Sequence, residues 1–111
     1  MASFSFSTHQ TDGLAVVRTR GYLSRVAGEQ LEQAIVHLLD AGVRRFVVNL
    51  RETDLINSVG ISILIGVIER VRALGGELAF SELTPVNEEI FRIIGLHRHA
   101  RLLRSDEEAA P

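Results

Sequence analysis

RRFVVNLRETDLINSVGISILIGVIERVRALGGELAF, residues 44–80, changes its hydrophobic period twice along its length. Phe46 to Leu50 is a short, almost continuous apolar run, the pattern of a strand covered on both faces, and it is the expected central strand. Arg51-Glu52-Thr53-Asp54-Leu55-Ile56 passes from polar to apolar and reads as a loop. From about Ser58 to Leu74 apolar residues recur at helical spacing until Gly75-Gly76 stops them, and Leu78 to Phe80 reads as another strand. Strand, helix and strand in immediate succession predict a right-handed crossover between two parallel strands.

The flanking sequence extends this unit in both directions. Phe4 and Phe6 alternate with Ser, Leu14 to Thr19 is rich in Val, and Thr11-Asp12-Gly13 between them carries a turn signal, so the N-terminus predicts a β-hairpin. After Gly21-Tyr22-Leu23-Ser24, a helix is expected in which Val26, Leu31, Ile35 and Leu38 or Leu39 share one face, ending at Asp40-Ala41-Gly42. Pro85 opens a third helix through Ile94, Gly95 stops it, and Arg101 to Arg104 is the last strand. The expected order is β-β-α-β-α-β-α-β, an α/β fold with a mixed, mostly parallel sheet. Ser105 to Pro111 is an acidic tail, either a frayed helix start or disordered chain.

Length and composition narrow the function. The 111 residues are the size of one domain, and residues 1–111 are expected to form a single one. There is no Cys, which removes disulfides and thiolate chemistry. All 12 basic residues are Arg, interspersed with 14 acids to a formal net charge of -2, so no block of positive charge suggests nucleic acid. The longest nearly uncharged apolar run, Leu55 to Ile68, is broken by polar and Gly residues and is shorter than the ~20 residues of a membrane span. The N-terminal Met-Ala-Ser-Phe-Ser-Phe lacks the basic start and apolar stretch of a signal peptide, and a cytoplasmic protein is expected.

The start of the long helix is its most informative point. The side chains of Asn57 and Ser58 are both able to accept a hydrogen bond from the free N–H groups of a first turn, so either suits the N-cap. A phosphate on Ser58 would sit where a helix offers about half a positive charge and several donors. Ile61, Leu64, Ile65, Ile68 and Val71 form the expected core stripe. Val59, Ile63 and Val67 form a second apolar stripe, and Ser58, Ser62 and Gly66 a row of small residues. Two readings stay open: either the helix is packed on nearly all sides, or the second stripe is an exposed docking patch that the small row lets a partner approach.

Together with Phe46-Val47-Val48-Asn49-Leu50, the segment Ile56-Asn57-Ser58-Val59-Gly60 makes the sequence resemble a bacterial STAS domain of the anti-sigma factor antagonist family, over nearly the whole chain. The family pattern is an apolar strand ending in Asp or Asn then Leu, an Asp-Ser-Ser/Thr-Gly motif opening a helix, a Gly-Gly stop, and a strand and third helix ending near a Gly. Asn49-Leu50, Asn57-Ser58-Val59-Gly60, Gly75-Gly76 and Leu78 to Gly95 match it in order. In that family the aligned Ser is phosphorylated by an anti-sigma factor that is itself a protein kinase; the unphosphorylated antagonist binds this partner and frees the sigma factor, and a phosphatase resets the cycle. The resemblance implies a phosphoacceptor at Ser58, with Gly60 keeping the helix start open to close approach. It also implies a partner surface of Tyr22 and Ser24 with Asn57, Val59, Gly60, Ser62, Ile63, Gly66 and Val67. Asn57 stands where the family usually has Asp, Val59 leaves Ser58 the sole acceptor of the motif, and Gly21-Tyr22-Leu23-Ser24 replaces an acidic loop.

Other constellations are weaker. His97 and His99 have the spacing of two metal ligands in a strand but no neighbouring third ligand in sequence, and Arg98, Arg101 and Arg104 read as a solvated face. Gly75-Gly76 follows a helix and precedes a strand, the reverse of a phosphate-binding turn. No nucleophile with a base, carboxylate pair or phosphate loop is written in the chain, so neither enzyme activity nor a cofactor is expected. The expected function is a phosphorylatable antagonist, with a homodimer compatible with it. The alternative is a constitutive STAS-like subunit of an ABC lipid-transport system or a sensory scaffold, in which Ser58 only caps the helix.

Overall fold

Asp12 and Gly13 take φ values of 50° and 79°, the left-handed pair required by a two-residue hairpin turn. β1 (Ser5–Thr11) therefore folds back antiparallel on β2 (Leu14–Leu23), with Thr11 opposite Leu14. The computed structural model describes residues 4–109. β2 leads into α1 (Arg25–Asp40), β3 (Arg45–Ile56), α2 (Ser58–Ala73), β4 (Glu77–Ser81), α3 (Pro85–Ile93) and β5 (Arg101–Leu103), with short 3-10 turns at Leu96–Arg98 and Asp106–Ala109. This is the expected element order, in one α/β fold with a sheet of mixed direction.

The strands lie in sequence order, β1-β2-β3-β4-β5, and β2 to β5 are parallel. Each right-handed crossover steps the same way across the sheet, so all three helices fall on one face. There Val17, Phe46, Val48, Leu50 and Phe80 pack against Leu31 and Ile35 of α1, Leu64 and Ile68 of α2 and Phe91 of α3. A sheet wound in one direction has no reversal point, so it lacks the crevice at which doubly wound folds hold dinucleotides.

Arg51 to Ile56, expected as a loop, continues β3. Beyond Asn49 the short β4 no longer flanks β3, while β2 still pairs with it through Leu23 opposite Ile56. This half of β3 is paired on one side only, which explains its exposed Arg51, Glu52, Asp54 and Leu55. The inward Thr53 is buried, its hydroxyl meets that of Thr19, and its carbonyl accepts Asn87 Nδ2 at 3.0 Å.

Where the sequence suggested a frayed helix start or disordered tail, Asp106–Ala109 forms a 3-10 turn against the sheet face opposite the helices. The Asp106 carboxylate accepts Asn49 Nδ2 at 3.0 Å, Ser81 Oγ at 2.5 Å and Arg18 Nη2 at 2.9 Å, and Arg45 donates to the Ala109 carbonyl. Ala109 thereby covers Val16, Val47, Ala79 and Leu103. Asn49 ends the apolar core of β3 as the buried hub of this network: its Nδ2 also reaches Glu82 at 2.8 Å, and its Oδ1 accepts the Arg51 N–H at 3.0 Å.

Candidate functional site

β2 and β3 are parallel neighbours that end in register at Leu23 and Ile56, so the helices that follow them start side by side. The Asn57 N–H donates to the Leu23 carbonyl at 3.2 Å and ties the two starts together. Gly60, one turn into α2, is buried against the same carbonyl: a Cβ there would collide with the Leu23 oxygen and lie 2.8 Å from Leu23 Cδ2. The resemblance gave Gly60 the task of keeping the helix start open to a partner. The close approach is internal instead, since a glycine is needed to seat α2 on the end of β2.

Asn57 is the N-cap of α2: its Oδ1 accepts the Gly60 N–H at 2.7 Å and its carbonyl accepts that of Ile61 at 2.9 Å. Ser58 is thus the first residue of the helix, exposed, with the capping role already filled by its neighbour. The N–H groups of Ser58 and Val59 have no partner among the described residues and remain available to an anion. Neither α1 nor α2 has an acid in its first turn, so neither of these adjacent positive helix ends is offset by a carboxylate of its own first turn.

The expected docking stripe is divided by the fold. Val59 is 43% exposed, Ile63 is half-buried against α1 at Gly28, and Val67 is 1% exposed and belongs to the core. Val67 therefore cannot contribute to a partner surface as an exposed residue. The buried line is Gly60, Leu64, Val67, Ile68 and Val71, rotated from the expected stripe, and Ile65 is 38% exposed. Ser58, Ser62 and Gly66 are all exposed, and a Cβ at Gly66 would meet only open space. The outer face of α2 thus runs through Ser58, Val59, Ser62, Ile65 and Gly66 without a charged residue before Glu69.

Tyr22 and Ser24 are half-buried at the same end, and Ser24 is the N-cap position of α1 but makes no side-chain cap bond. Val26, expected in the core of α1, is exposed in its first turn, while Ala27 and Gly28 take the buried positions. Leu55 is exposed beside Tyr22, its register partner. Val26, Leu55 and Ile65 are further exposed apolar residues of these elements, and for Val26 and Ile65 the sequence signal was ambiguous because each lies in a pattern that also fits a core. Among the described residues no three metal-ligating side chains come together, and no helix is long and apolar enough to cross a membrane.

Several known proteins are similar to this chain in sequence or in fold. BtrV of Bordetella bronchiseptica, a candidate anti-sigma factor antagonist, is 33% identical over 99 residues, which cover 89% of this chain and 85% of BtrV. The crystal structure of a candidate anti-sigma factor antagonist from Thermotoga maritima superposes with a TM-score of 0.87 at 15% identity, covering 94% of this chain and 90% of that one. The phosphorylated form of the Bacillus cell fate determinant SpoIIAA superposes with a TM-score of 0.75 at 22% identity, covering 95% and 96% respectively. At those identities the two structures establish a shared fold. The sequence model of the STAS domain matches residues 5–110, from the first strand through the last turn, and the chain belongs to that family.

Proposed function

We propose that this chain is an anti-sigma factor antagonist, a non-enzymatic switch whose affinity for a serine-kinase anti-sigma partner is set by phosphate on Ser58. The observation that carries this reading is the position of Ser58: exposed, released from capping by Asn57, and heading a helix face without charge as far as Ile68. An uncharged, partly apolar face suits burial against a partner. The partner kinase would transfer the γ-phosphoryl group of ATP to Ser58 Oγ, the hydroxyl proton passing to a base of the kinase and ADP leaving. The product adds ~1.5 to 2 negative charges. On the free protein this charge is favoured by the open N–H groups and helix dipole, an effect of about 0.3–1 kcal/mol, so the fold tolerates it. In the bound state it must be desolvated within an apolar contact, which releases the partner. A phosphatase would hydrolyse the ester and restore binding.

A constitutive subunit would use Ser58 as a cap, and that role belongs to Asn57. The test is parallel affinity purification of wild type, Ser58→Ala and Ser58→Glu from the native host, with mass spectrometry of co-purifying proteins and of Ser58. A kinase-like regulator held by wild type and Ser58→Ala, and reduced at least ten-fold by Ser58→Glu, is expected. Equal recovery with both variants and an unmodified Ser58 would overturn the switch.

A further inference from the structure

The two edges of the sheet are finished differently. β5 is three residues long and is bordered by Arg101 and Arg104, a short charged edge that resists pairing with another strand. β1 is seven residues, SFSTHQT, exposed throughout and free of Pro and formal charge, and among the described residues nothing pairs with its outer side. Its ladder with β2 runs unbroken from Ser5 opposite Arg20 to Thr11 opposite Leu14, so no bulge twists the edge away.

The hairpin turn fixes which backbone groups this edge offers. The pair closing a two-residue turn, Thr11 and Leu14, exchanges both of its backbone hydrogen bonds, and bonded and open pairs then alternate. Ser5, Ser7, His9 and Thr11 consequently bond inward to β2. Phe6, Thr8 and Gln10 turn N–H and C=O outward, symmetrically about Thr8. Their side chains share the helix-covered side of the sheet, where they line a groove with Gln30, Gln33 and Leu38 of α1. Ala34 and His37 of α1 complete the lining, which holds no Asp, Glu, Lys or Arg.

We propose that two copies of this chain associate through β1, antiparallel about a two-fold axis at Thr8, joining their five-stranded sheets into one. Thr8 faces Thr8 of the second copy and Phe6 faces its Gln10, so the outward groups form about six backbone hydrogen bonds. The contact is self-complementary, and β1 and the groove beside it set no Asp, Glu or Arg against its own copy. An interface of one strand and a groove lies at the small end of the range, so the dimer is a concentration-dependent one. Ser58 follows β3, two strands in from this edge, so the contact does not include it and the inference is independent of the switch.

Sedimentation equilibrium over a concentration series tests it. The wild type is expected to dimerise, and Thr8→Lys and Thr8→Glu each to weaken association at least ten-fold, since like charges then meet on the axis. An equimolar mixture of the two variants is expected to restore the dimer. Thr8→Pro, which removes an N–H that does not serve β2, is expected to abolish association while circular dichroism stays native. Ser58→Glu is expected to leave it unchanged. A wild type that stays monomeric to about 300 μM would overturn the proposal. So would a dimer indifferent to all three Thr8 variants.

Discussion

At the start of α2, Asn57 Oδ1 accepts the N–H of Gly60 at 2.7 Å, and at the start of α3, Thr84 Oγ1 accepts that of Asn87 at 3.2 Å. The caps are alike, but the turns after them are not. α3 begins with Pro85, which has no N–H to leave open, and carries Glu88 in its first turn, itself held by Arg92 at 3.0 Å. Its third residue, Asn87, is buried and ties the helix to β3 through Thr53. α2 begins with an exposed Ser58, has no acid in its first turn, and uses Gly60 to press against β2. A cap stabilises either helix, but the residues behind it decide whether the positive end is closed off or left for a charge that comes and goes.

The largest test of this contrast is Gly60→Ala. The Leu23 carbonyl that a Cβ would strike is backbone and cannot swing aside, so the substitution is expected to cost ~1–3 kcal/mol as overpacking. Urea denaturation should show a lower midpoint with an unchanged slope; an unchanged midpoint would mean that α2 can lift from β2 freely. Next come the caps. Asn57→Ala and Thr84→Ala are each expected to cost ~1 kcal/mol in the same assay, whereas Asn57→Asp keeps the acceptor and puts a negative charge at the same helix end, so it should cost nothing and gain up to ~1 kcal/mol at low salt. A cost at Asn57 well below that at Thr84 would show that Ser58 takes over the cap.

The smallest effects have opposite signs. Ser58→Asp is expected to stabilise the free protein by ~0.3–1 kcal/mol at low salt, because it puts a negative charge on the open end of α2. Glu88→Gln is expected to destabilise by a similar ~0.3–1 kcal/mol, because it removes one from the closed end of α3 together with the Arg92 pair. Both changes should shrink in 1 M salt, where the Debye length falls to about 3 Å. If Ser58→Asp destabilises instead, the end of α2 is not the electropositive site its first turn implies.

The alternation of strand and helix was legible because short β-rich runs and 3.6-residue periods are local properties, and each is punctuated by Gly or Pro. The second half of β3 was not legible. Arg51, Glu52 and Asp54 look like a loop because a strand with one neighbour and solvent-facing side chains has no reason to be apolar, and the buried Thr53 between them is polar because its partners are Thr19 and Asn87. The Asp106 turn was illegible for a related reason: its partners Asn49, Ser81 and Arg18 come from three different strands, and no spacing along the chain announces them.

Ser58 at the head of a helix, the glycine two residues later and the absence of charge as far as Ile68 were determined by the sequence itself. Tertiary structure alone decided that Val67 is buried while Val59 and Ile65 are exposed. A helix with apolar residues on several sides fixes which of them lie in line but not which line meets the sheet, because its hydrophobic pattern has no single preferred direction. That direction is set by backbone contact: Gly60 must face the Leu23 carbonyl, and once it does, Leu64, Val67, Ile68 and Val71 turn inward and Ser58, Ser62 and Gly66 turn toward solvent.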